Sequence, residues 1–148
     1  MSQFALDSSS VLTWVLQEPR WQAVDAMLRA EDAEPVLPGP ALTEVIHIAR
    51  RKGNASSGPK IAAVLTGQGF AVEHPVDADL VRAAELLEVS AANPGEQRRS
   101  GQPPPTLSLG DALILAVVER LGCPVVTRDG YWSWFAEQGL TPVKVVAF

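Results

Sequence analysis

Apolar residues along this chain come in short runs, each bounded by capping residues, Pro or Gly, and their period changes from run to run. Phe4-Ala5-Leu6 leads into Asp7-Ser8-Ser9-Ser10, a cluster of helix-capping side chains, and then into Val11-Leu12-Thr13-Trp14-Val15-Leu16. This predicts a strand, a cap and a helix. Pro19 separates that helix from another in which Trp21, Val24, Met27 and Leu28 recur at the three and four spacing of one helical face. A strand around Val36-Leu37 and a helix from about Ala41 to Arg51, stopped at Gly53-Asn54, are expected next. Then come a helix from Pro59 to Gly67, a strand at Phe70–Glu73, and a helix opened by Asp77 with Leu80, Val81, Ala84 and Leu87 facing inward. The last part predicts an apolar helix from Leu109 to Leu121, a strand at Pro124–Thr127, a short aromatic segment Tyr131–Phe135 and a final strand between Pro142 and Ala147. Strands alternating with helices imply an α/β fold, a mainly parallel central sheet between layers of helices.

One stretch breaks the alternation. Ala92 to Pro105 is polar and rich in Gly and Pro, with little to bury, and predicts a mobile surface loop at about 92–106 in a single domain spanning 1–148. Its Pro run is a stiff spacer or, less commonly, a segment that docks in a partner's groove. There are no internal repeats. No apolar run approaches the roughly 20 residues of a membrane helix, and the first residues lack the basic start and apolar stretch of a secretion signal, so the expected location is the cytoplasm. Cys123 is the only cysteine, which excludes an internal disulfide or a thiolate metal cluster. The net charge of −5, from 12 bases against 17 acids, argues against broad electrostatic binding of nucleic acid and leaves any such contact to local patches.

The candidate chemistry lies in Asp7, Glu44, Asp111 and Asp129, each where an apolar stretch meets a predicted helix. Each has an ordinary explanation. Asp7 fits an N-cap, Asp111 the acidic half of a capping box begun by Ser108, and Asp129-Gly130 a turn. Glu44 sits on a largely apolar helix and needs a partner, for which Arg51, Lys52 or His47 would serve. Folding would bring all four to one edge of a parallel sheet, where ligand groups gather. Carboxylates about 4 Å apart repel by roughly 4 kcal/mol at an effective dielectric near 20, and a divalent cation relieves that repulsion. Oxygen ligands without Cys, and with little His, select Mg²⁺ or Mn²⁺. Glu44 and His47 have the E-x-x-H spacing of di-iron bundles, but the chain has only two His, so that site is excluded. Gly67-Gln68-Gly69 lacks the glycine pattern of a dinucleotide fold, there is no phosphate loop, and Asp7-Ser8-Ser9 lacks the second Asp of a phospho-aspartate phosphatase.

Ala5-Leu6-Asp7-Ser8-Ser9, Leu42-Thr43-Glu44-Val45, Leu107-Ser108-Leu109-Gly110-Asp111-Ala112 and Val126-Thr127-Arg128-Asp129-Gly130-Tyr131-Trp132 resemble, in order and spacing, the successive motifs of PIN-domain ribonucleases, in particular VapC-like toxins of toxin-antitoxin modules. The likeness extends over essentially the whole chain. It implies a Rossmann-like PIN fold and Mg²⁺- or Mn²⁺-dependent endoribonuclease activity, with Asp7, Glu44, Asp111 and Asp129 as the acidic cluster. It also implies a cognate antitoxin and a homodimer. Asp7 and Asp111 are then the direct metal ligands, Glu44 and Asp129 direct or through water, with Ser8 and Thr127 as supporting hydroxyls. Arg128, Arg50, Arg51, Arg98 and Arg99 are the candidates for RNA contact, or else solvated surface. Trp132, Trp134 and Phe135 either pack or stack on bases. Asn93–Pro105 departs from the family in being longer and richer in Pro. The alternative is a PIN-like module that binds RNA or protein without cutting.

Overall fold

A computed structural model of the chain describes residues 2–96 and 99–148. Five strands, β1 (Gln3–Leu6), β2 (Glu34–Pro38), β3 (Ala71–Glu73), β4 (Val125–Thr127) and β5 (Val145–Ala147), form one sheet in the order β3-β2-β1-β4-β5, parallel throughout. Seven helices among the described residues flank it: α1 (Ser8–Val15), α2 (Trp21–Leu28), α3 (Gly39–Arg51), α4 (Gly58–Gly67), α5 (Asp77–Ala92), α6 (Leu109–Leu121) and α7 (Gly130–Glu137). No helix among those residues is long and apolar enough to cross a membrane.

After Gln3 the central strand is apolar, Phe4, Ala5 and Leu6 all being buried, as expected of a strand covered on both faces. β2 is also internal, yet it contains Pro35 and Pro38. Pro35 lies where only β1 runs alongside and Pro38 where only β3 does, so each has an open side on which its missing N–H breaks no ladder bond. From β1 the chain steps outward to β2 and β3, then returns across the sheet to β4 and β5. The order therefore reverses between β1 and β4, and the crevice beyond their carboxyl ends is where such sheets bind ligands.

α3 begins two residues earlier than expected, because Pro40 fits a first helical turn, where an N–H has no partner in any case. The aromatic segment is a full helix, α7, with Tyr131, Trp132 and Phe135 buried. Of the inward face predicted for α5 only Leu87 packs against the core. Leu80 and Val81 are exposed, 53% and 64%, as is Ala84, and the buried face is Asp79, Ala83, Leu86 and Ser90. The helix turns this way because Asp79 accepts the Val76 N–H at 2.9 Å and Arg120 Nε at 2.9 Å, an anchor that hydrophobic spacing does not register. The loop after α5 is tied at its base, where the Gly95 N–H donates to the Pro105 carbonyl at 2.9 Å and Tyr131 Oη to the Asn93 carbonyl at 2.7 Å.

Candidate active site

β1, β2 and β4 lie side by side, and the chain leaving each carboxyl end enters a helix within a few residues. Those junctions place Asp7 ahead of α1, Glu44 on α3 and Asp129 ahead of α7. α6 brings its first turn, with Asp111, to the same edge.

Asp7 is 3% exposed and caps α1. Its Oδ1 accepts the Ser10 N–H at 3.0 Å, Ser10 Oγ at 3.0 Å and Ser9 Oγ at 2.8 Å, and its Oδ2 accepts Thr127 Oγ1 at 2.5 Å. Burial raises its pKa above the usual carboxylate value, although these hydrogen bonds pull the other way. Thr127 also accepts the Asp129 N–H at 3.0 Å, so a single hydroxyl joins Asp7 to the Asp129 backbone. Asp129 caps α7 by accepting the Tyr131 N–H at 2.9 Å.

Asp111 forms the capping box with Ser108: the Ser108 N–H donates to its carboxylate and its own N–H donates to Ser108 Oγ, each at 3.1 Å. A carboxylate so placed would ordinarily ionise readily. Burial instead lifts its pKa to about 6, with the charges of Asp129 and Asp7 adding to the effect. That shift places Asp7, Asp111 and Asp129 in one electrostatic neighbourhood. Glu44 accepts Ser8 Oγ at 3.0 Å, and its other oxygen lies against Gly110, where a Cβ would overlap it. Arg51, Lys52 and His47 do not serve as its partner; Lys52 pairs with Glu18 at 3.6 Å. An open groove of about 610 Å³, lined by Leu42, Thr43, Leu109, Gly110 and Leu113 among others, runs from Glu44.

The two candidate supporting hydroxyls serve different acids. Thr127 holds Asp7, but Ser8 holds Glu44. Ser9 and Ser10, not foreseen in this role, bind the Asp7 carboxylate. The only signal in the sequence was the run of three Ser after Asp7, which capping already explained. Gly110 was likewise missed as the residue that admits Glu44 to the start of α6.

The donor set consists of hard carboxylate oxygens and carries an excess of negative charge, which suits Mg²⁺ or Mn²⁺. Among the described residues, however, no three His, Cys, Asp or Glu side chains are grouped so as to enclose an ion. Asp7 faces its hydroxyls, and closure on a cation requires the carboxylates to turn toward one another.

Of the basic candidates, Arg128 is exposed and donates to Thr13 Oγ1 at 3.0 Å, alongside α1. Arg50 and Arg51 are exposed and line, with His47 and Asn54, an open recess of about 630 Å³ on α3. Arg99 is exposed, and Arg98 lies outside the described residues. Trp132, 1% exposed, and Phe135 belong to the core, whereas Trp134 is only half-buried.

A family model for the PIN domain matches residues 4–137. The chain belongs to the PIN domain family. The five-stranded parallel sheet and its flanking helices agree with that assignment. Among solved structures, this PIN domain is similar to VapC20 of Mycobacterium tuberculosis, described as a sarcin-ricin loop cleaving toxin (18% identity, TM-score 0.66, 88% of this chain and 93% of that one). It is also similar to VapBC2 of Rickettsia felis bound to a DNA fragment from its promoter (11%, 0.68, 99% and 98%). A third is VapBC-1 of nontypeable Haemophilus influenzae (14%, 0.66, 98% and 97%). At these identities the likeness is one of fold. No sequence among curated proteins matches the chain.

Proposed function

We propose that this PIN domain is a metal-dependent endoribonuclease and the toxin of a toxin-antitoxin pair. The observation that carries this reading is the meeting of the acids at one sheet edge: Thr127 joins Asp7 to the Asp129 backbone, and Glu44 lies against Gly110, next to Asp111 at the start of α6; burial of Asp111, which raises its pKa, agrees with it. Acids gathered at the switch point of a parallel sheet, with no Lys or Arg among the described residues bonded to them, call for a cation from outside. The similar structures support the biological setting, since they are a toxin described as cleaving the sarcin-ricin loop and toxin-antitoxin complexes.

In this mechanism Asp7 and Asp111 would hold Mg²⁺ or Mn²⁺ directly, and Glu44 and Asp129 directly or through water; when bound, the ion would supply positive charge to the scissile phosphodiester and lower the pKa of water for its hydrolysis. The chain's own residues orient the acids: Ser9, Ser10 and Thr127 fix Asp7, Ser8 fixes Glu44, and Ser108 fixes Asp111. Arg128, beside Asp129 and propped on Thr13, contacts the RNA backbone. An antitoxin and a second copy of the chain are the further partners of this reading, and exposed Val76, Leu80, Val81 and Leu109 offer apolar surface for them.

One observation favours a second reading, a module that binds without cutting: the Asp7 carboxylate is already saturated by hydroxyls and an N–H, and no three acids enclose an ion among the described residues. Incubating a pool of tRNA and rRNA with the purified protein in Mg²⁺, in Mn²⁺ and in EDTA, beside Asp111→Asn, separates the two. Discrete fragments that require both metal and Asp111 support the nuclease. Intact RNA with metal binding confirmed supports the binding module.

A further inference from the structure

A recess of about 180 Å³ lies beside the acids, walled by Gly95, Glu96, Pro105, Gly130, Tyr131 and Trp134. Gly130 follows Asp129 directly, and the Tyr131 N–H is bonded to the Asp129 carboxylate at 2.9 Å, so the recess opens one residue from the acidic cluster.

Both walls are fixed before any ligand arrives. On one side Tyr131 is 2% exposed, its Oη within 2.8 Å of Ser90 Oγ and 2.7 Å of the Asn93 carbonyl, and Trp134 stacks on it with centroids 5.7 Å apart and planes at 25°. On the other side the loop closes on itself through the Gly95 N–H and the Pro105 carbonyl. A Cβ on Gly95 would come within 2.8 Å of Pro105 Cγ and 2.9 Å of Tyr131 Cδ1, so Gly is what allows the loop base to seat on the ring. A rigid aromatic slot loses little entropy when it is filled.

The charge at its rim limits what can fill it. Glu96 lines the recess, Asp129 adjoins it, and among the described residues no Lys or Arg is part of its walls. A phosphate is repelled there. A flat, uncharged ring with an N–H donor on its edge gains both stacking and a hydrogen bond to a carboxylate.

We propose that this recess takes one nucleobase of the RNA next to the bond that is cut, stacked against Trp134 and read by Glu96 through an exocyclic amino group, so that A or C is preferred to U at that position. The proposal rests on the ribonuclease reading for the nature of the strand, but not for the binding itself. Trp134 and Glu96 are specificity residues here, outside the acid cluster.

Fluorescence anisotropy with labelled homo-oligomers of A, C and U, in EDTA so that no chain is cut, tests it. The wild-type protein binds the A and C oligomers about tenfold more tightly than U, the value of one hydrogen bond to a charged group. Trp134→Ala weakens binding of A and C by roughly 5- to 100-fold, the range for one base–aromatic stack, and Trp134→Phe recovers most of it. Glu96→Ala narrows the gap between C and U while leaving the weaker stacking contribution in place. If Trp134→Ala lowers the thermal midpoint, the Glu96→Ala comparison decides, because Glu96 is exposed and its removal leaves the fold intact. Equal binding of all three oligomers by the wild type, unaffected by Glu96→Ala, overturns the proposal. Cleavage that depends on Asp111 but is indifferent to Trp134 and Glu96 also overturns it, and leaves the nuclease standing. The expected binding pattern without any cleavage supports the base recess and removes the nuclease.

Discussion

The seam between α5 and α6 and the carboxyl edge of the sheet both contain buried acids, but only the seam supplies them with cations. Asp79 is 3% exposed and is met by Arg120 at 2.9 Å, while Glu119 is met by Arg82 at 2.7 Å and by Thr141 Oγ1 at 2.8 Å. At the sheet edge Asp7 is equally buried yet is held by hydroxyls and one N–H, and Asp111 has only its capping Ser108. A buried charge is costly unless it is paired. The seam meets that requirement from within the chain, so its acids are structural. Among the described residues the sheet edge leaves it unmet, and it is on this difference that the proposed metal-dependent reading rests.

The largest expected effect comes from the edge. Asp7→Asn should reduce metal-dependent RNA cleavage by about 10³-fold, corresponding to several kcal/mol of lost charge stabilisation, while the thermal midpoint stays within a few degrees of wild type. Retained cleavage would place Asp7 with the structural acids. The mirror experiment is Asp79→Ala, which strands Arg120 against Glu73 and removes the Val76 cap. It should cost about 2–3 kcal/mol, less than a fully enclosed pair because Arg120 is part-exposed, and should leave cleavage per folded molecule unchanged.

The third effect is on pH. The Asp111 pKa, about 6 against an ordinary 3.8, is higher in the folded chain than in the unfolded one. The folded state therefore binds the extra proton, and the stability this contributes is present at pH values below the ordinary one and lost as pH rises through about 6. Metal-free protein should lose about 1 kcal/mol of unfolding free energy between pH 5 and 7.5, after allowance for solvent screening at a half-buried site. Asp111→Asn should flatten that dependence, and added Mn²⁺ should restore stability at the higher pH. A flat profile in the wild type would mean that the acids are already compensated. The smallest effect is that of Arg128→Ala, which should weaken RNA binding several-fold and lower the salt slope by about 1; an unchanged slope would confine Arg128 to its contact with Thr13.

The sequence carried much of the fold because its signals were local. Asp7, Ser57 and Ser108 each cap the helix that follows, Gly122 at φ +67° ends α6, and Pro40 opens α3, all within one turn of the residue responsible. The face of α5 was misread because a long-range bond from Arg120 to Asp79 outweighs the periodicity of exposed Leu80 and Val81. The seating of the loop on Tyr131 was hidden for the same reason, since it depends on Ser90 and Tyr131, which are 41 residues apart.

The candidate site divides along the same line. The identity of its acids, and the single Cys and two His that leave oxygen ligands for a cation, follow from composition and motif order alone. Partnership did not. That Thr127 reaches Asp7 across 120 positions, that Ser8 serves Glu44, and that Glu44 fits only because residue 110 has no side chain were decided by the sheet order β3-β2-β1-β4-β5, which sets β1 and β4 side by side. Hydrogen bonds and carboxylate repulsion act over a few ångströms in space whatever the separation in sequence, so only the packed chain determines which of its acids are left without a counter-charge.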